Sequence, residues 1–222
     1  MPLPIPTLDH VVINVRDRID DGADTFRRLG FTLTPRGYHT LGSMNHLAMF
    51  GTEYLELIAA PAGSTGRPEI LQAPEGLNGL VFGTDDSAAV FDALNEAGVP
   101  ILPPQQFSRP VALEDEPRDA VFRTVRVPND AVAAGRLYFC HHLTRDLVWR
   151  DEWRHHPNGV IGVARAVIAE AHPAMLCGLL AQMFGEDALT PIQGGARLAV
   201  GLSSFDIVTP SALRDAYGDA AP

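Results

Sequence analysis

The alternation of apolar and polar positions divides the chain into a repeating unit. Residues 8–15, rich in Val and Ile, read as a strand. Asp20, Asp21 and Asp24 then mark a helix start, where carboxylates meet the positive end of the helix dipole. Phe26 and Leu29 supply its apolar face, and Gly30 its stop. Residues 31–40, 45–50 and 54–59 read as three more strands, the last two joined by the turn Gly51-Thr52-Glu53. The order is β-α-β-β-β.

A degraded copy follows a linker, Pro61–Pro74, that is rich in Pro, Gly and Ala. It consists of a strand at 77–84, a helix at about 86–97 with Val90, Phe91 and Leu94 on one face, and strands at 105–111, 120–127 and 136–142. Glu114–Asp119 reads as an acidic hairpin between two of these strands. A third, more eroded copy is expected: a strand at 160–169, a helix at 172–184 stopped by Gly185, and short strands at 188–192, 197–200 and 204–208. A period of tens of residues signals a supersecondary unit that needs a neighbour to cover its apolar face. Residues 6–145 are therefore expected to form a paired domain of units 6–60 and 76–143. A Trp-rich connector at 146–158, a degenerate unit at 159–210 and a frayed tail at 211–222 complete the expectation.

Composition narrows the function classes. The 222 residues carry a formal net charge of −10, so counterion release on nucleic acid offers no gain and anionic lipid no attraction. The apolar runs are too short to span a bilayer, and the N-terminal stretch lacks the pattern of a signal peptide. Cys140 and Cys177 fit neither a disulfide framework nor a Cys-x-x-Cys site, so a reducing, cytoplasmic setting is expected.

The segments Leu8–Asp17, Gly42–Phe50 followed by Tyr54-Leu55-Glu56-Leu57-Ile58, and Leu137–His142 running into Leu147-Val148-Trp149-Arg150, carry a resemblance. In this order the chain resembles the vicinal oxygen chelate superfamily, which includes glyoxalase I, extradiol dioxygenases and bleomycin-resistance proteins, and within it the glyoxalase-like domain proteins. The resemblance implies an α+β fold in which repeated βαβββ units curl a mixed sheet into an open barrel. It also implies metal ligands on the first and last strands of each unit. His10 and Glu56 take those positions in the first unit. In the second, the first-strand position reads as Asn78, a poor transition-metal ligand, and His142 is the expected third ligand. His10, Glu56 and His142 would make a two-histidine, one-carboxylate set for a divalent ion, Fe, Mn, Zn or Ni. Glu56 could be ligand, base, or both in turn. His46, Tyr138 and Trp149 are the expected substrate contacts, whereas His155 and His156, before Pro157, read as a solvated surface pair.

Two functions follow from the resemblance. One is a metal-dependent lyase, isomerase or dioxygenase acting on a small substrate with adjacent oxygens. The other is a metal-free protein that binds and sequesters a small molecule, which Asn78 favours. The partner in either case is a small molecule, with no nucleic acid and no membrane. A homodimer is compatible with both, because the sequence leaves open whether the units pair within one chain or between two.

Overall fold

A computed structural model describes residues 2–113, 116–133 and 135–218. The first unit runs β1 (Leu8–Asn14), α1 (Ile19–Arg28), β2 (Gly37–Tyr38), β3 (Met44–Met49) and β4 (Tyr54–Ala59). The second runs β5 (Gly76–Gly83), α3 (Ser87–Glu96), β6 (Gln105–Val111), β7 (Arg118–Arg126) and β8 (Arg136–His142). Their strands make one eight-stranded sheet in the order β2-β3-β4-β1-β5-β8-β7-β6. Each unit starts and ends on a parallel pair, β1 with β4 and β5 with β8, and the units join through antiparallel β1 and β5. The halves thus pair within one chain. The sheet curls until its outer strands meet, and the Thr40 N–H donates to the Ser108 carbonyl across the seam at 2.9 Å.

Local chemistry explains the helices. The Asp86 carboxylate caps α3 by accepting from the N–H groups of Ala88 and Ala89. Gly30, at φ 83°, ends the turn after α1 in the left-handed region that a Cβ disfavours. Two expectations shift here. Only Gly37–Tyr38 of the long strand expected over 31–40 is paired, where it closes the barrel. The Pro-rich linker contains a short helix, α2 (Pro68–Leu71), whose Ile70 is fully buried. Asn14, buried on β1, holds this linker by donating its side-chain amide to the carbonyls of Ile70 and Pro74. Residues 114 and 115 of the acidic hairpin lie outside the described residues.

The third segment runs β9 (Arg165–Ala169), α4 (Pro173–Phe184), β10 (Leu189–Ile192), β11 (Gly195–Val200) and β12 (Ser203–Val208). Its sheet order, β10-β11-β12-β9 with β9 parallel to β12, repeats the order β2-β3-β4-β1. Ile168, Leu180, Met183, Phe205 and Ile207 share one core with Phe82, Val125 and Phe139 of the second unit. The chain after β12 is helical, α5 (Pro210–Tyr217), rather than frayed. Thr209 caps it by accepting from the Ala212 N–H, and residues 219–222 lie outside the described set. No helix among the described residues is long and apolar enough to cross a membrane.

Candidate active site

The barrel interior is a small cavity of about 70 Å³, walled in part by His10, Asn45, Glu56, Arg109 and Tyr138. A backbone irregularity places its central histidine. On β5, Phe82 and Val81 are consecutive, yet they face Leu8 and His10 on β1, so Asp9 is an extra residue. A bulge of this kind re-aims side chains and lets neighbours share a side of the sheet. Asp9 and His10 therefore come together, and the Asp9 Oδ1 lies 2.6 Å from the His10 Nδ1. Strict alternation along the strand hid this contact.

Asp9 orients the His10 ring. Burial alone would raise the Asp9 pKa, but the His142 and His10 rings outweigh it and hold the carboxyl well below the usual carboxylate range. An ionised Asp9 can only accept, so the His10 Nδ1–H donates to it and Nε2 faces the cavity. The Tyr138 hydroxyl, kept protonated by burial, lies within hydrogen-bond distance of that Nε2 at 3.0 Å. The Glu56 Oε2 is 3.7 Å from the same nitrogen, and the Tyr54 ring stacks on the imidazole with centroids 4.4 Å apart.

Glu56 belongs to a second chain of contacts. Asn45 donates from Nδ2 to its Oε1 at 2.7 Å, and the same amide nitrogen is 3.3 Å from the His39 Nε2. Burial raises the Glu56 pKa, but the His10 ring and the Asn45 amide help reverse this, leaving a net lowering and an ionised carboxylate. His39 is driven down to about 4 by burial and is therefore neutral; its Nδ1 lies 2.9 Å from the Ser43 hydroxyl. The sequence reading missed Asp9, His39, Asn45 and Arg109. Asn45 carried a signal, because it sits on the opposite face of its strand from His46 and across from Ile58, two residues beyond Glu56.

The residues singled out from sequence divide into two groups. His10, Glu56 and Tyr138 converge in the cavity. His142 does not join them: its Nε2 lies 3.0 Å from the Asp9 Oδ1, so it contacts the carboxylate behind His10. His46 faces away from the cavity, with its Nδ1 2.8 Å from the Thr34 carbonyl. Trp149 lies behind the wall, packed edge-on to Tyr54 and His142 and capped by the Arg145 guanidinium 3.4 Å from its ring centroid. His156 is buried rather than solvated. Its Nδ1 accepts from the Thr32 N–H at 3.0 Å and its Nε2 donates to the Met49 carbonyl at 2.9 Å.

The sheet register tests the ligand set implied by the resemblance. β1 pairs His10 with Val81 and Val12 with Gly79, so exchanging the halves maps His10 onto Gly79 and Val12 onto Val81. Val12 faces Glu56 across the parallel pair, and Val81 faces Tyr138, so Glu56 maps onto Tyr138. The positions related to the two first-unit ligands are thus Gly79 and Tyr138; Asn78 matches the bulged Asp9 instead. A Cβ at Gly79 would lie 3.1 Å from the Val12 side chain, so no longer side chain fits there unless Val12 moves. The Tyr138 hydroxyl stands against the His10 Nε2, at the position related to Glu56 where a carboxylate ligand would otherwise stand. The four related positions supply one imidazole and one carboxylate, and although His39 and Glu69 also line the cavity, among the described residues no three ligand atoms there lie within 4.8 Å of one another, as the three or four ligands of a resident transition metal would. These residues do not fit one. Elsewhere among the described residues, ligand atoms of Asp9, Cys140 and His142 lie within 4.8 Å of one another, with the Cys140 thiol kept protonated by burial.

Paired βαβββ units curled about a cavity define the vicinal oxygen chelate fold. The glyoxalase-like domain family matches residues 8–184, and the chain belongs to that family. No curated protein matches it in sequence. Among solved structures, a hypothetical protein from Staphylococcus aureus superposes with a TM-score of 0.71 at 15% identity, over 92% of this chain and 86% of that one. A mutant 4-hydroxymandelate synthase from Streptomyces coelicolor gives a TM-score of 0.53 at 18% identity, over 91% of this chain and 62% of that one. Methylmalonyl-CoA epimerase from Mycobacterium tuberculosis gives 0.49 at 16% identity, over 65% of this chain and 94% of that one.

Proposed function

We propose that the protein is an enzyme that moves a proton on a small oxygenated substrate, an isomerase or lyase working without a resident metal in the barrel. The supporting observation is the convergence of the Glu56 carboxylate, the His10 Nε2 and the Tyr138 hydroxyl on one cavity, with Asp9 fixing the imidazole from behind. Glu56 Oε2 takes a proton from a carbon next to a carbonyl. The C–H electron pair moves into the carbonyl, and the resulting enolate oxygen accepts hydrogen bonds from the Tyr138 O–H and nearby guanidinium groups. Return of the proton from Glu56 to the same or a neighbouring carbon completes an isomerisation. Loss of a β-leaving group instead completes an elimination. The two unpaired cysteines suit a reducing, cytoplasmic setting.

The test is exchange of α-protons for deuterium in D2O, followed by NMR across a panel of small 2-oxo and 2-hydroxy compounds. Wild-type protein is expected to catalyse exchange on a subset of them, unaffected by chelator. Glu56→Gln is expected to lose at least about 100-fold of the rate. Activity abolished by chelator and restored by one divalent ion would overturn the metal-free mechanism.

A second reading rests on a different observation. The gathered Asp9, Cys140 and His142 ligand atoms could take a divalent ion behind the cavity, where it would compete with His10 for Asp9. Elemental analysis of wild-type protein beside a Cys140→Ser variant separates the readings, since stoichiometric metal lost in the variant supports the second.

A further inference from the structure

Arg109 is an unpaired cation in the wall of the cavity. It projects from β6 and is 6% exposed. Among the described residues no carboxylate lies within 4.0 Å of it, and its Nε has no hydrogen-bond partner. The side chain lies against Gly37 on β2, where a Cβ would be 2.8 Å from the Arg109 Cδ and 3.2 Å from an Nη. That glycine opens the slot through which the guanidinium enters. The Asn45 Oδ1, also buried and unpartnered, lines the same slot. The Glu56 carboxylate acts on it through space, but Glu56 is already engaged by Asn45 and faces His10.

The surrounding charges sharpen the point. Arg67, Arg109, Arg126 and Arg136 line the cavity against two carboxylates, Glu56 and Glu69. Arg67 is matched by Glu69 at 2.6 Å. Among the described residues Arg126 and Arg136 bond only to neutral amides, those of Gln105 and Asn78, and one Nη of Arg136 is buried without a partner. A chain of net charge −10 has thus built an interior with surplus positive charge. A buried charge without a partner is costly, and an anionic ligand that supplies the missing partner removes that cost.

We infer that Arg109 anchors the carboxylate of a short-chain acid, so that the substrate is a small 2-oxo or 2-hydroxy acid rather than a neutral carbonyl compound. The planar guanidinium fork matches a carboxylate in two parallel hydrogen bonds. The cavity of about 70 Å³ suits a ligand of few heavy atoms, since pockets for larger ligands run to several hundred Å³. This assignment rests on the proposed function for the chemistry, but it concerns binding and can be read without turnover.

The experiment measures thermal shift and calorimetric affinity of wild type, Arg109→Met, Arg109→Lys and Glu56→Gln. The probes are pyruvate, oxalate and malonate, with acetone and pyruvamide as neutral controls. Carboxylates are expected to stabilise wild type and Glu56→Gln, and the neutral controls neither. Arg109→Met is expected to bind the carboxylates at least tenfold more weakly while its unliganded Tm stays level or rises, because a buried unpaired charge has been removed. Should Arg109→Met fail to fold, Arg109→Lys carries the test: it keeps the charge, loses the fork, and is expected to bind at least tenfold more weakly. Neutral controls binding as tightly as the acids, or arginine variants binding at wild-type affinity, would overturn the assignment. Carboxylate binding by wild type with no proton exchange would sink the proton-transfer mechanism and leave the anion site standing.

Discussion

Two imidazoles share one carboxylate oxygen in this protein, since the His10 Nδ1 and the His142 Nε2 both reach the Asp9 Oδ1. The sharing fixes which His10 nitrogen faces the cavity. Asp9→Asn removes that constraint, because an amide oxygen binds less strongly and its NH2 can donate where the carboxylate only accepts. We expect the exchange rate to fall roughly 10–100-fold, as for other groups that orient a working histidine. Carboxylate affinity, set at Arg109, should stay within about twofold. A parallel loss in affinity would show that Asp9 shapes the cavity as a whole. His39 gives a second prediction at this scale. Its folded-state pKa is depressed to about 4 from an ordinary 6.5, so below pH 6.5 the unfolded chain takes up a proton that the folded chain refuses. Stability is therefore expected to fall as pH drops from 6.5 to 4, by up to about 3 kcal/mol from this group alone. Burial lowers the His46 pKa as well and adds in the same direction. Urea unfolding across that window checks it, and His39→Gln should flatten the slope. His10 and Glu56 were legible in the sequence because each is a polar residue at a strand position the repeat singles out. Asp9 and Arg109 were not. The first needs a bulge that alternation does not encode, and the second lies on β6 beside β7, whose Arg123 and Arg126 are strand arginines that sequence alone does not separate from it.

The elements that matter most at the next scale are the bulges and the barrel seam. Asp9 on β1 and Asn78 on β5 are extra residues in related places, so the halves share the irregularity as well as the strand order. The strand order could be read from hydrophobic period and turn residues, and the third copy of it was visible through the apolar helix ending at Gly185. The register could not be, because one inserted residue moves every later side chain to the other face. On β8, which has no bulge, alternation does put His142 on the inner side with Tyr138 and Cys140, but His142 lies past the cavity, where it meets the bulged Asp9. At the seam, β2 is only two residues long, and Gly37 is the point of closest approach. A Cβ there would stand 2.5 Å from the Asn45 Oδ1 and 2.8 Å from the Arg109 Cδ. Gly37→Ala is expected to cost about 1–3 kcal/mol and to weaken carboxylate binding, since both neighbours must withdraw. Chemical denaturation read beside calorimetry tests both parts. A variant with wild-type stability and affinity would mean the seam has slack. The connector after β8 is held by the His156 ring, which bridges Thr32 and Met49. His156→Ala should lower stability by about 2–3 kcal/mol, through two lost hydrogen bonds and a buried carbonyl left without a donor.

At the scale of the whole molecule, the third unit looks like an appendage in sequence and behaves as part of the core in the structure. Its sheet repeats the order of the first unit, and among the described residues no further unit closes a barrel with it. Its apolar face packs instead on the outside of the second unit. Phe205 lies 5.7 Å from Phe82 between ring centroids, and Phe184 packs edge-on to Phe82 at 5.2 Å. Phe82 and Phe139 belong to β5 and β8, the strands that carry Val81 and Tyr138 on their inner face. The same two strands thus face the cavity on one side and the third unit on the other, so support for Tyr138 comes partly from beyond the barrel. A chain ending at residue 158 would leave that outer face bare, a contiguous apolar surface of the kind that soluble monomers avoid. The prediction is that the full chain unfolds in one cooperative transition and that the 1–158 fragment is aggregated or lacks fixed tertiary packing. Near-UV circular dichroism and size-exclusion chromatography of the fragment decide this. The milder variant Phe205→Ala is expected to cost about 3–5 kcal/mol, and to slow exchange in proportion to any displacement of Tyr138. A monomeric, well-packed fragment with full exchange activity would show that the barrel supports its own site and that the third unit serves another purpose.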